Sequence, residues 1–463
     1  MSDLDAVLAH LDANADAAEG RLFEFLRMES ISTDPAYKAE CRKAAEWAAA
    51  DLAAIGFDAS VRDTTGHPMV VAHSGGARSQ DGPKFLFYGH YDVQPVDPLD
   101  LWTAPPFEPV IADGPQGPEI RARGAADDKG QLMTFVEACR AWKAVTGSLP
   151  VNVTIFLEGE EESGSPSLIP FLKANAEELK SELALVCDTG MWDAETPAIS
   201  TMLRGGVAEE VVIHAADRDL HSGMYGGPAM NPIRVLTKAL GALHDETGRV
   251  TLAGFYDGVH EIGDNMKADW EALGFSHADF LGEVGLAEPA GEQGYSALEQ
   301  IWSRPTCEFT GITGGYTGEG FKTVLPAEAR AKISCRLVGD QDPDAIRESL
   351  RAHVESFLPP DCTAEWISHG GSKAISMPTD GPRFTRARQA LSDEWPKEAV
   401  FAGCGGGIPV VGHFQSILGM QSMLIGFGLD DDRIHSPNEK YSRASFHKGA
   451  RSWARVLATL AEG

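Results

Sequence analysis

No apolar stretch in this chain reaches the roughly 18–20 residues that a membrane-spanning helix needs, so no such helix is expected. The first thirty residues lack the basic and apolar regions of an export leader and carry Leu4, Leu8, Leu11, Leu22, Phe25 and Leu26 at helical spacing. An amphipathic helical start and a cytoplasmic protein are the expectation. Positive charge is scarce: 39 lysines and arginines face 68 aspartates and glutamates, a net charge of −29. That balance argues against nucleic acid or an anionic membrane surface as partner. Cysteine is sparse and scattered (Cys41, Cys139, Cys187, Cys307, Cys335, Cys362 and Cys404), with no CxxC pair. Buried thiols in a reducing compartment account for this pattern. Cys404 has a glycine-rich setting but no histidine motif nearby to activate it as a nucleophile. The glycine-rich stretch at 314–323 is not a phosphate loop: Phe321 interrupts the GK[ST] ending and Glu319 would repel phosphate. Internal repeats and low-complexity tracts are also missing.

With 463 residues, the chain exceeds what one hydrophobic core usually supports, so two domains are expected. Five apolar runs break off into acid or histidine. KFLFYGH ends at His90, with Asp92 beyond, and EIRARGAADDKG carries Asp127 and Asp128. VNVTIFLEGEEESG ends at Glu160, Glu161 and Glu162, LALVCD at Asp188, and MLIGFGLDDDRIH at His435. From about 68 to 188, strand-like runs alternate with helical ones, which predicts an α/β sheet core. Ligands in such sheets bind beyond the carboxyl ends of the strands.

After residues 204–206 the character changes to a strand (AEEVVIHAA), a loop (DLHSGMYGGPAM) and a helix from 231 to about 244. An irregular acidic stretch at 255–297, a strand pair around 322–338 and a helix at 342–357 follow. A Gly/Ser/Pro-rich return at 370–382 leads to a closing helix at 442–460. One domain is thus expected to be inserted in another: 1–205 and 379–463 form an outer domain that holds all five acid or histidine ends, and 206–378 a smaller α+β unit.

Each acidic run has a bland reading. Asp92, two residues after His90, points the same way in extended backbone and can orient the imidazole while its other nitrogen faces a metal. It could equally form an ordinary surface pair. Asp127 or Asp128 could be a helix N-cap, Asp188 a turn cap, Glu160–Glu162 a solvated turn and His435 a loop histidine. Five together point to a metal pocket instead, in which one carboxylate of the glutamate run binds metal while its neighbour handles a proton. Carboxylate and imidazole without thiolate suit Zn²⁺, Mn²⁺ or Co²⁺ alike.

The strings GHYDVQP, RGAADDKG, LEGEEESGS, VCDTGMW, RDLHSG, GFKTVLP, SCRLV and HSPNEK run through nearly the whole chain in this order. The sequence thereby resembles the carnosinase-like dipeptidases of the aminoacylase/carboxypeptidase metallopeptidase superfamily. The resemblance implies an α/β, mixed-sheet catalytic domain holding two divalent ions, zinc foremost with Mn or Co as options, and an inserted α+β lid and dimerisation domain. It makes Asp127 the bridging carboxylate, with His90 and Asp188 on one ion and Glu162 and His435 on the other. Glu161 becomes the general base and Asp92 the aspartate behind His90. It implies that His221 reaches into the neighbouring subunit's site of a homodimer, and that Thr323 and Arg336 bind substrate, Arg336 at the peptide's C-terminal carboxylate.

The expected activity is hydrolysis of small peptides by a metal-bridged hydroxide. Alternatives are N-acyl amino acid deacylation, a carboxypeptidase, or a non-catalytic binding protein on the same fold. Residues 403–407, Gly-Cys-Gly-Gly-Gly, depart from the relatives' R-E-G-G-S-I-P: the serine hydroxyl and the preceding Arg and Glu are missing. Backbone N–H groups of Gly406 and Gly407 remain to bind the substrate carboxylate.

Overall fold

The computed structural model describes residues 2–75, 82–377, 379 and 381–461. The expected boundary at 378 falls on a position outside the described residues. Two compact units emerge: Met1–Thr201, Met377–Ala402 and His413–Gly463 form the first, Met202–Ser376 and Gly403–Gly412 the second. The segment Gly403–Gly412, expected with the closing part of the chain, packs with the second unit.

The first unit is a mixed α/β structure. Its sheet has four parallel strands at the centre, in the order Asn152–Glu158, Lys84–His90, Leu183–Val186 and Gln421–Leu424. Antiparallel strands flank them: Asp58–Arg62 and Met69–His73 on one side, Ala198–Leu203 on the other. The central strands are buried on both faces, which is why they read as continuous apolar runs rather than as alternation. Helices Lys129–Thr146 and Arg443–Leu460 supply the covering layer. Phe87 from the sheet stacks on Phe135 at 3.8 Å between ring centroids, and Trp453 meets both rings edge-on. Helix Lys129–Thr146 stops at Gly147, whose φ of 80° is a left-handed terminator. The amphipathic start is two helices, Asp3–Ala13 and Ala15–Leu26, broken at Asn14.

One of the five runs is not a strand of this sheet. Gly117–Arg121 lies in a separate three-stranded sheet, between Val110–Gly114 and Lys440–Ser442. Asp127 therefore arrives on a turn entering a helix, not on the end of a central strand. Its apolar signature is only Ile120, and the local sequence does not say which sheet the segment joins.

The second unit has an antiparallel sheet in the order Thr306–Gly314, Glu328–Leu337, Gly205–His214 and Thr363–Ser372. Helices Pro232–Gly241 and Pro343–Glu355 bury Val235, Leu236, Ile346 and Leu350 against Val207, Val211, Ile213 and Ile333. Both helices open on an acceptor side chain followed by proline, Asn231-Pro232 and Asp342-Pro343. The expected 322–338 pair is not a hairpin: Val324–Leu325 pairs with Leu220–His221, and Glu328–Leu337 with its two sheet neighbours. Within the acidic 255–297 stretch lie two helices, Asp264–Ala272 and His277–Gly282. Strand Thr306–Gly314 escaped the sequence reading because it is a mostly exposed edge without alternation.

Candidate metal centre

The parallel strands of the first unit deliver their chemistry at one end. His90 is the last residue of its strand, Glu160 follows Asn152–Glu158, and Asp188 follows Leu183–Val186. Gly89 lets this edge approach the helix entry: a Cβ there would lie 2.8 Å from Asp128 Oδ2 and 2.9 Å from Leu132 Cβ. The Asp128 carboxylate, fully buried, accepts a hydrogen bond from His90 N at 3.1 Å.

Asp127 is the centre of the arrangement. Its Oδ1 lies 3.0 Å from His90 Nε2, and its Oδ2 lies 2.9 Å from His435 Nε2. His435 Nε2 is also 3.2 Å from Glu162 Oε2. Two groups of potential donors result, His90–Asp127–Asp188 and Asp127–Glu162–His435, each with its atoms within 4.8 Å of one another. Gln94 Nε2 donates to Glu162 Oε2 at 2.8 Å, which fixes that carboxylate.

Asp92 lies behind His90 and also holds the glutamate turn. His90 Nδ1 is 3.1 Å from the Asp92 backbone oxygen but 3.5 Å from its carboxylate. The carboxylate also accepts the backbone N–H of Glu161 at 3.3 Å and of Glu162 at 3.0 Å. It thereby ties the glutamate turn to the His90 strand. Glu160 is buried and its carboxylate accepts from His67 N and Ser167 N, so it holds the same turn from the other side.

Electrostatics follow from crowding acids into a buried place. Burial and the neighbouring Asp127 push the Asp188 carboxyl up. Burial also raises Glu161, with Glu162 and Asp92 adding to it and His90 opposing. Burial acts to raise Asp127 as well, but the imidazoles of His435 and His90 beside it hold it below the usual carboxylate range. Hydrogen bonds with Asp127 and Glu162 push the His435 imidazole up to about 10.

The other five expected site residues lie in the second unit, in two places. His221 sits on the short ribbon with Val324, next to Thr323, whose backbone oxygen accepts from Ser222 N at 3.1 Å. Arg336 is exposed on the sheet, opposite Gly206 and Thr306. Gly406 lies nearby through Arg204, which donates from its backbone N to Gly406 O at 3.0 Å and from Nε to Gly405 O at 2.9 Å. The departure at 403–407 has a steric counterpart. A Cβ on Gly403 would lie 2.5 Å from Trp302 Cβ, and one on Gly407 2.8 Å from Arg204 O.

Comparison with known proteins matches residues 86–459 to the profile of Peptidase family M20/M25/M40. The chain belongs to that family. It is 28% identical to the Cys-Gly metallodipeptidase DUG1 of Saccharomyces cerevisiae, over 99% of this chain and 98% of that protein. The crystal structure of human carnosine dipeptidase 1 superposes with a TM-score of 0.80 at 25% identity, covering all of both chains. An M20 family metallo-carboxypeptidase, Sso-CP2 from Sulfolobus solfataricus, gives 0.81 at 28% identity, over 96% of this chain and 99% of the other.

Membership in M20 makes the chain a hydrolase of metallopeptidase type and implies divalent-metal binding. Its residues fit that requirement. His90 Nε2 is fully buried and makes no hydrogen bond despite the carboxylate beside it, as a nitrogen lone pair reserved for a cation would be. Ligand distances of about 2.0–2.2 Å put two donors of one ion no more than about 4.4 Å apart, close to the spacing of both groups. Sequence reasoning missed Gln94, Glu439 and Arg123. Gln94 was legible as the residue four past His90. The other two stand inside the strings RGAADDKG and HSPNEK, but nothing local pairs one with the other.

Proposed function

We propose that this M20 chain is a dipeptidase that holds two divalent ions, zinc by preference, and hydrolyses the amide bond of dipeptides or similar small peptides. The observation that carries the reading is the Asp127 carboxylate, whose two oxygens face two different histidines, His90 and His435. His90, Asp127 and Asp188 would hold one ion, and Asp127, Glu162 and His435 the other. Bound there, such ions supply Lewis acidity that polarises a scissile carbonyl and brings the pKa of water toward neutrality.

Glu161 takes a proton from the attacking water as the C–O bond forms, then delivers it to the leaving amine as the C–N bond breaks. Its raised pKa suits both transfers, since an acceptor that is too acidic would not hold the proton long enough to pass it on. Asp92 keeps the Glu161–Glu162 backbone in place. In the second unit we assign His221 to the developing oxyanion, Arg336 and Thr323 to substrate, and the Gly406 and Gly407 N–H groups to its carboxylate. We take the first unit as the catalytic domain and the second as the lid and dimerisation domain of a homodimer, His221 serving the neighbouring subunit. A cytoplasmic location accords with seven cysteines outside disulfides. No helix among the described residues is long and apolar enough to cross a membrane.

The test is metal quantification together with hydrolysis of dipeptides, N-acyl amino acids and longer peptides, before and after chelation. Chelator-sensitive turnover confined to dipeptides is expected. Turnover that survives complete metal removal, or that favours N-acyl amino acids, would refute the proposal.

A further inference from the structure

Glu439 and Arg123 lie outside both donor groups, yet they join every loop that carries one of the histidines or Asp127. Glu439 is fully buried, and Arg123 is 1% exposed. The Glu439 carboxylate accepts four hydrogen bonds. Oε2 takes Arg123 Nη1 at 2.7 Å and Gly124 N at 3.0 Å, while Oε1 takes Ala126 N at 2.9 Å and Asp127 N at 3.1 Å. Three of the four donors are thus backbone N–H groups of the turn that presents Asp127. The second guanidinium arm, Arg123 Nη2, donates to Pro95 O at 2.9 Å, in the loop that follows His90 and Asp92. Strand pairing sets this up: Lys440 lies opposite Arg121 in the small sheet, and Ala122 N donates to Glu439 O at 3.2 Å.

His435 reaches the site on a loop that needs such an anchor. Arg433, His435 and Asn438 have φ of 55°, 61° and 62°, a left-handed conformation that is uncommon for residues with a side chain. Asn438 is tied to Thr103 and Leu101 on one side of this loop. Glu439 ties the other.

We propose that Glu439 and Arg123 are a positioning pair. They set the distance of Asp127 from His90 and His435, and so the spacing of the two ions that Asp127 shares. The inference deepens the metal-dependent reading and rests on it. A buried carboxylate answered by four donors leaves little freedom to the turn. Replacing one oxygen by an amide nitrogen sets a donor against one of the two donor pairs, Arg123 with Gly124 or Ala126 with Asp127.

The experiment uses the full chain, with elemental analysis, competition of the bound ions against a chelator, the visible spectrum of the Co²⁺-loaded protein, and steady-state kinetics on a dipeptide. For Glu439→Gln we expect metal affinity to fall about 10- to 100-fold, the range typical when partners behind metal ligands are removed. A shifted Co²⁺ spectrum and a lower kcat with KM little changed should accompany it. Arg123→Met should act in the same direction, and it decides the question if Glu439→Gln does not fold. Glu209→Gln is the control. It breaks another buried pairing, with Arg347 and Arg351 in the second unit, and should lower thermal stability without moving metal affinity or spectrum. Unchanged affinity and spectrum in Glu439→Gln, or in Arg123→Met if that is the variant that folds, overturns the pair alone. A wild-type protein that binds no divalent ion overturns the pair together with the metal-dependent reading.

Discussion

Glu161 and Glu162 are neighbours in the chain with different surroundings. Glu162 is pinned by Gln94 and lies against His435, while Glu161 is raised by burial and by the acids around it. Glu161→Gln should therefore retain its metal while kcat falls by about 10²–10⁴-fold, the usual contribution of a proton-transfer group. Near-normal turnover in a metal-loaded variant would remove Glu161 from its role. The histidines give a second expectation. In the metal-free protein the raised His435 pKa favours the imidazolium below about 10, whereas a metal ligand must be neutral. Each proton displaced makes metal binding stronger as pH rises. Calorimetric titrations at pH 6 and pH 8 should give tighter binding at pH 8, with an enthalpy that depends on the buffer's ionisation heat. The reverse order would show that the ion displaces no proton from these imidazoles.

At the scale of elements, the parallel strands and the two helices over them share one aromatic joint. Phe135, on the helix whose entry carries Asp127, stacks on Phe87, three residues before His90. Phe135→Ala should cost about 3–5 kcal/mol in urea unfolding, the range for removing a buried phenylalanine. A loss below about 1 kcal/mol would mean that this joint does not hold the helix on the sheet. Elements also show what could be read in advance. Helices Pro343–Glu355 and Arg443–Leu460 were legible to within a residue or two, because a side-chain cap and an apolar stripe are local signals. Gly117–Arg121 was not, since membership in one sheet or another depends on a partner more than 300 residues away. The edge strand Thr306–Gly314 was not legible either, because a strand exposed over most of its length need not alternate.

For the molecule as a whole, metal and stability are linked. Ligands that bind only the folded chain add about 4 kcal/mol when free ligand exceeds Kd by about 1,000-fold. Stripping the ions also leaves the carboxylates of Asp127, Asp188 and Glu162 with only the imidazoles of His90 and His435 to answer their charge. Thermal unfolding after chelation should occur several degrees lower and recover on adding Zn²⁺. An unchanged Tm would argue that the donor groups do not bind metal in the folded state. If His221 serves a neighbouring subunit, specific activity should fall on dilution through the dimer dissociation range, and constant activity across that range would refute the shared site.

By itself the sequence determined the inventory: imidazole and carboxylate at the ends of apolar runs, an α/β core, an inserted unit and the strings of the family. These are properties of periodicity and residue type, which act over a few residues. The resemblance already assigned Asp127 to both His90 and a histidine 308 residues further along the chain, and only the tertiary structure set the distances between them. It alone decided that Trp302 fills the space beside Gly403, and that one buried carboxylate, Glu439, holds the turn. Such distances are set by which strands pair and which surfaces pack, and no local pattern records them.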